Sequence, residues 1–362
     1  MKKRPDGRYC KQVHVGYNPN GTRKMKTIYG KTVREVEKKE REFKTQIDAG
    51  LKMIDDLTLG EWADLWLKTY KINVEYNTFR RYEVVINNQI KPIFGRYKLS
   101  DINLNMIQNA INDLSKTYSQ STLKKFKITL NQLFKTAVIT GRITINPLQG
   151  VVLPKPDFRI GDDMKFIPEE IVSELRCFCK NYKNGDFIMT LLYTGIRRGE
   201  ITALTWEDIN DDCIYINKAA EFVNNQPRIK APKSRSGIRV VPFLEILKGY
   251  LVRPINAKDT DCVFKNASGK MHTQQSLKRM MEIFNKDFSE YLREKGLNSP
   301  KITMHQFRHT YATILYKAGI DIKTAQMYLG HSSISVTLDI YTHLDKKHKC
   351  INADKLNSFI CA

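Results

Sequence analysis

The sequence lacks what marks a membrane-bound or secreted chain. Its longest largely apolar stretch covers residues 187–193 and is broken by Thr190, whereas a membrane span needs roughly 17–25 apolar residues. No membrane partner is expected. The opening residues, Met1-Lys2-Lys3-Arg4-Pro5-Asp6-Gly7, carry charge with no apolar stretch behind it, so no signal peptide is predicted. Cysteine is sparse, seven scattered residues in 362, and Cys177 with Cys179 forms CxC rather than the CxxC of a zinc site. All seven read as reduced thiols of a cytosolic protein. Acid is scarce as well: 38 Asp and Glu face 60 Lys and Arg, a net charge of +22. An excess of that size calls for a polyanionic partner, and nucleic acid leads. It is spread as +7 over residues 1–57, +7 over 58–150 and +8 over 151–362, so each segment could face phosphate by itself. With 41% hydrophobic and 10% aromatic residues the chain is not a disordered polymer. Its length suggests two or three domains at ~150 residues each.

Residues 1–31 hold nine Lys and Arg against the single acid Asp6. Alternating stretches at 9–15 and 24–29 flank Asn18-Pro19-Asn20-Gly21, the pattern of a hairpin. Thr32 and Glu35 form a capping box that opens a helix running to near Gly50. A small sheet packed on one helix follows, with Lys11, Arg23, Lys24 and Lys26 interleaved among Tyr9, Tyr17 and Tyr29. Those four basic residues are the candidate DNA contacts, since a strand ribbon fits the major groove. A second capping box, Thr58 with Glu61, opens a helical region whose spacing predicts helices near 59–71, 77–90, 104–116 and 120–140. Leu153-Pro154-Lys155-Pro156 reads as a linker. Beyond it the pattern mixes helices near 168–180, 186–194 and 197–205, strands near 213–217, 226–232 and 238–242, and helices near 274–295, 303–318, 321–329, 333–342 and 346–360. The organisation expected is therefore 1–52, 57–150 and 165–362.

Several groups in the last segment suit an oxyanion. Thr194-Gly195-Ile196-Arg197-Arg198-Gly199-Glu200 places an arginine past a glycine turn at a helix start, with Glu200 three residues on to orient Arg197. His305-Gln306-Phe307-Arg308-His309 puts His305 and Arg308 on one helical face. His305 and His309 lie one turn apart, but spacing supplies no third ligand, so metal is the weaker reading and His309 reads as structural. Leu329-Gly330-His331-Ser332-Ser333 has the form of a turn between helices, and Tyr341 follows ten residues after His331. Lys233 stands in a basic hairpin ahead of Arg239-Val240-Val241-Pro242, with Lys230 as its competitor.

Taken singly these groups say little. In the order Arg197-x-x-Glu200, Lys233, His305-x-x-Arg308, His331, Tyr341 they resemble the tyrosine recombinases closely. The resemblance covers about 165–345 by motif, the four-helix segment looks like the family's core-binding domain, and residues 1–50 look like the arm-type domain of phage and conjugative-transposon integrases. It implies an α+β multidomain fold: a small N-terminal sheet plus helix, a helical bundle, and a mostly α catalytic domain with a small sheet, shared with type IB topoisomerases. It implies DNA cleavage through a 3′-phosphotyrosine, with Tyr341 as nucleophile and Arg197 and Arg308 as a phosphate clamp. Lys233 would be the general acid, His305 would handle the tyrosine proton, His331 would bind a phosphate oxygen, and Glu200 would support Arg197. No cofactor, metal or ATP is expected. Double-stranded attachment sites, a homo-tetramer on paired sites, a DNA-bending protein and an excisionase are the expected partners. The setting would be the nucleoid of a bacterial host, and the stretch 346–360 would be a helix exchanged between protomers. Three rivals stand beside this reading. A DNA-binding regulator explains the charge but not Arg197, Lys233 and His305 in series. A type IB topoisomerase has less need of an arm-type segment, and a metal-dependent integrase needs three carboxylates that no spacing nominates.

Overall fold

The computed structural model describes residues 1–17, 22–48, 57–154, 166–232, 235–335, 337 and 338. The chain divides into two compact units, Met1–Phe158 and Arg159–Ala362.

The first unit opens with three antiparallel strands in the order β1 (Lys2–Lys3), β2 (Tyr9–Tyr17), β3 (Arg23–Gly30), against which α1 (Val33–Asp48) packs. Thr32 caps α1 by accepting the Glu35 amide at 3.2 Å, but the Glu35 carboxylate returns to the amide of Lys31 at 2.8 Å, not to Thr32. Strand register decides which basic residues meet the helix. Lys11 pairs opposite Ile28, and Val13 opposite Lys26. Val13 is buried, as is Val36 of α1. On that same side Lys11 Nζ bonds Glu40 at 2.5 Å, and Lys26 Nζ sits 5.1 Å over the Phe43 ring. Two of the four expected DNA contacts, Lys11 and Lys26, therefore face α1. Side chains alternate across a strand, so the open face carries Gln12 and His14 from β2 with Arg23, Met25, Thr27 and Tyr29 from β3. Arg4 and Arg8 lie 5.4 and 5.6 Å over the Tyr29 ring.

The rest of this unit is helical: α2 (Leu59–Tyr70), α3 (Tyr76–Val85), α4 (Lys91–Phe94), α5 (Leu104–Ser115) and α6 (Gln120–Ile139). The Thr58–Glu61 box closes as expected, at 3.3 and 2.9 Å. The helix expected to end at residue 90 instead runs on into α4 through a π turn at Ile86–Ile90. Pro92 brings no amide to the carbonyl four residues before it, and the widened turn absorbs the missing bond. Trp62, Trp66, Phe94, Phe126 and Phe134 fill the core. Both indoles find acceptors, Trp62 at the Leu133 carbonyl and Trp66 at Thr136, each at 3.0 Å.

The second unit centres on α8 (Gly185–Thr194), every residue of which except the half-buried Asp186 is buried. A helix apolar all round belongs inside a core, and α7 (Glu169–Cys179), α10 (Glu245–Lys248) and α12 (Met304–Lys317) pack around it. Two separate antiparallel ribbons complete it: β4 (Cys213–Ile216) with β7 (Arg239–Pro242), and β5 (Ala219–Val223) with β6 (Gln226–Lys230). The strand β5 was not expected. Its turn to β6 holds Asn224 and Asn225 at φ of 48° and 66°, a pair suited to a two-residue hairpin loop because Asn tolerates the left-handed region. The short α9 (Arg198–Ala203), long α11 (Gln274–Glu294) and α13 (Ile322–Leu329) fall where spacing put helices. The helix expected near 333–342 is described only as far as residue 338, and the one near 346–360 lies outside the described residues. Among the described residues, no helix is long and apolar enough to cross a membrane.

Candidate active site

Three chain segments converge in the second unit. The first is the end of α8, where Gly195 caps the helix at φ 59° and Arg197 then caps the start of α9. The second is the first turn of α12, fixed by a Thr303–Gln306 box, which carries His305 and Arg308. The third is the end of α13, where Gly330 caps the helix at φ 63° and His331 follows. Both glycines are required twice over, by their left-handed backbone and by space. A Cβ on Gly195 would lie 2.6 Å from Tyr311 Cδ1, and one on Gly330 would lie 2.8 Å from the Ser236 carbonyl.

The carbonyls left open at these helix ends are taken by arginines. Arg308, 4% exposed, donates to the Gly195 carbonyl at 2.9 Å and to that of Leu329. Arg197 donates to the Gly330 carbonyl at 2.6 Å and to Glu200 Oε1 at 2.8 Å, and its backbone N–H donates to Glu200 Oε2 at 2.7 Å. Arg239 grips Glu200 from the other side, at 3.0 and 2.8 Å to the two oxygens, and donates through Nε to the Tyr328 carbonyl at 2.7 Å. A buried carboxylate thus sits between two guanidiniums, with a third close by.

Charge follows geometry. Burial alone would raise the Glu200 pKa, but the hydrogen bonds and charges of Arg239 and Arg197 hold it at about 2. Burial, together with Arg197 and Arg239, pulls Arg308 down to about 9, still protonated at neutral pH. Burial and the Arg308 and Arg197 charges push His305 below its ordinary value and His331 to about 3. Both imidazoles are therefore neutral at pH 7. His331 Nδ1 lies 2.9 Å from Thr337 Oγ1, and the His305 and His309 rings meet edge-on at 4.5 Å between centroids.

Arg197, Glu200, Arg308, His305 and His331 thus meet as one electrostatic cluster. Lys233 and Tyr341 lie outside the described residues. The competitor Lys230 is bound to Glu221 at 2.8 Å across the β5–β6 ribbon. Arg239 and Thr337 were missed. In the sequence Arg239 is only strand context; the available hint is the apolar Val241 two residues on, on the same strand face, where a charge needs a buried partner. Among the described residues, no group of three His, Cys, Asp or Glu side chains comes together as a metal site.

A pH dependence of stability follows. In the unfolded chain His331 takes up its proton near 6.5, while in the fold it stays neutral to about 3. The unfolded state therefore binds more protons between those values, so stability falls as pH drops below 6.5. Thermal melts of His331→Gln between pH 6.5 and 4.5 are expected to show a shallower loss than the parent; equal slopes would contradict the buried neutral imidazole.

Residues 165–348 match the model of the phage integrase family, and residues 58–115 match that of the phage integrase N-terminal SAM-like domain. The chain is 30% identical to a tyrosine recombinase XerC-like protein of Caldanaerobacter subterraneus subsp. tengcongensis over 96% of its own length and 95% of the relative's. It is 25% identical to the ICEBs1 integrase of Bacillus subtilis over 99% and 100%. A lambda integrase tetramer bound to a Holliday junction shares the fold, with a TM-score of 0.59 and 19% identity over 94% of this chain and 93% of that one. The chain belongs to the phage integrase family and is a site-specific tyrosine recombinase.

Proposed function

We propose that this recombinase is the integrase of a mobile element, cutting and rejoining double-stranded attachment sites through a 3′-phosphotyrosine, with no metal or ATP. The observation that carries this reading is the arginine cluster: Arg197, 43% exposed at its side chain, stands beside buried Arg308 and two neutral histidines, prearranged for one phosphodiester. Phosphoryl transfer asks mainly for positioning and charge neutralisation, and two guanidiniums supply both. Tyr341 Oη gives its proton to His305 and bonds phosphorus. The bond from phosphorus to the 5′ oxygen breaks, and that oxygen takes its proton from Lys233. His331, with Nδ1 accepting from the Thr337 hydroxyl, donates from Nε2 to a nonbridging oxygen. A 5′ hydroxyl from the partner strand then reverses each step. Because the phosphotyrosine retains the ester energy, resealing needs no further input. The Glu221 carboxylate bound to Lys230 favours Lys233 as the acid.

In this reading residues 1–52 bind arm sites through the open face of the sheet, 57–150 grip the core site, and 165–362 hold the chemistry and an exchanged C-terminal helix. The end-to-end likeness to an integrase supports a mobile element as host. The fold shared with the lambda tetramer supports a homo-tetramer on paired sites. A DNA-bending protein and an excisionase would set direction on the bacterial nucleoid.

Tyr341→Phe is expected to bind core-site DNA normally and form no covalent adduct on a nicked suicide substrate; an adduct on a denaturing gel would move the nucleophile elsewhere. Lys233→Ala is expected to cleave slowly, and a 5′-bridging phosphorothiolate, whose sulfur leaves without a proton, is expected to restore the rate. Without that restoration the general acid is another group. Replacing Gln12 and Arg23 with Ala should erase protection of arm sites in footprints while core-site cleavage persists. Lys11→Ala should leave the footprint in place, and a lost footprint there would return the contact face to the helix side.

A further inference from the structure

Each nitrogen of one buried guanidinium is hydrogen-bonded, and between them they join the start of α9 to the end of α13. Arg239, 6% exposed, bridges both oxygens of Glu200, reaches the Tyr328 carbonyl through Nε, and adds the Gly237 carbonyl at 3.3 Å. Its Cδ and Nη1 lie 2.9 and 3.0 Å from where a Cβ on Gly330 would stand, so the arginine lies directly beneath the turn that carries His331. Glu200 passes the constraint on, because the same two oxygens hold the amide and the guanidinium of Arg197. An ammonium could not reproduce this: it is a point donor and cannot span a carboxylate and a carbonyl in a fixed plane.

We propose that Arg239 is a positioning residue of the cleavage step, setting Arg197 through Glu200 and setting the His331 turn through the Tyr328 carbonyl. The proposal rests on the clamp role of Arg197 given above. A buried ion pair is weak evidence for stability in itself. Here the pair joins β7 to Glu200, which in turn holds the exposed Arg197, and its loss displaces that arginine without touching DNA.

The test is single-turnover cleavage by the full chain at saturating core-site DNA, on a phosphodiester and on a methylphosphonate at the scissile position. The methylphosphonate has lost the negative charge that the guanidiniums neutralise. Arg197→Ala runs in parallel. Arg239→Lys is expected to bind DNA as the parent does and to cleave the phosphodiester roughly 10- to 100-fold more slowly, the scale of a small misplacement. On the methylphosphonate its gap to the parent is expected to close, as is that of Arg197→Ala. Should Arg239→Lys fail to fold, the double variant Arg239→Met with Glu200→Gln removes both charges of the buried pair, leaving only the solvent-exposed Arg197 without its carboxylate, and is expected to show the same slowing and the same closing gap. A gap that persists on the methylphosphonate, or a parental rate in either variant, overturns the proposal. If Arg197→Ala itself cleaves normally, the clamp reading fails first, and the two failures are told apart.

Discussion

A full negative charge held inside the protein is the constraint on which this site depends. Glu200 is 4% exposed, and burial works against its charged form. It remains ionised because Arg239 binds both its oxygens and Arg197 adds an amide and a guanidinium. Removing one partner of such a pair typically costs about 3–5 kcal/mol, since the other charge is left stranded. The carboxylate therefore fixes where two arginines must be, one of which faces solvent.

The same arrangement explains why two helices end where they do. The last carbonyls of a helix have no partner of their own and carry the negative end of its dipole. The ends of α8 and α13, turned by Gly195 and Gly330, offer those carbonyls to Arg308 and Arg197. Three guanidiniums are balanced by one carboxylate and two helix ends, which leaves a positive excess. Burial first, and that excess after it, depress both histidines and keep them neutral, and the excess is what an incoming phosphodiester would neutralise.

Much of this was legible because it is local. Arg197 with Glu200 and His305 with Arg308 are three residues apart, and helical geometry brings such pairs together whatever the rest of the chain does. The capping residues Thr32 and Thr58 marked helix starts for the same reason. What could not be read was non-local or depended on parity. Arg239 meets Glu200 across 39 residues of chain. Lys11 and Lys26 are interleaved among the tyrosines in sequence, but which face of a strand turns inward is settled only when a helix covers it, and here α1 covers theirs. The strand β5 stayed hidden because Ala219, Ala220 and Glu221 carry little strand signal, whereas its partner β6 was expected in spite of Pro227.

Exposure separates the two arginines proposed as the phosphate clamp. Arg308 has its Nη atoms engaged by Gly195 and Leu329 carbonyls and is almost wholly buried, whereas Arg197 keeps 43% of its side chain open. A phosphate arriving from solvent meets Arg197 first, on a guanidinium whose orientation Glu200 and the Gly330 carbonyl have already set. Donors fixed before the substrate arrives need no reorganisation at the moment of reaction, and that is where most electrostatic stabilisation of a transition state comes from. In the proposed reaction the buried carboxylate and its far-side arginine would thus act on the chemistry without approaching it: they fix the orientation of the one exposed side chain that would hold a phosphodiester.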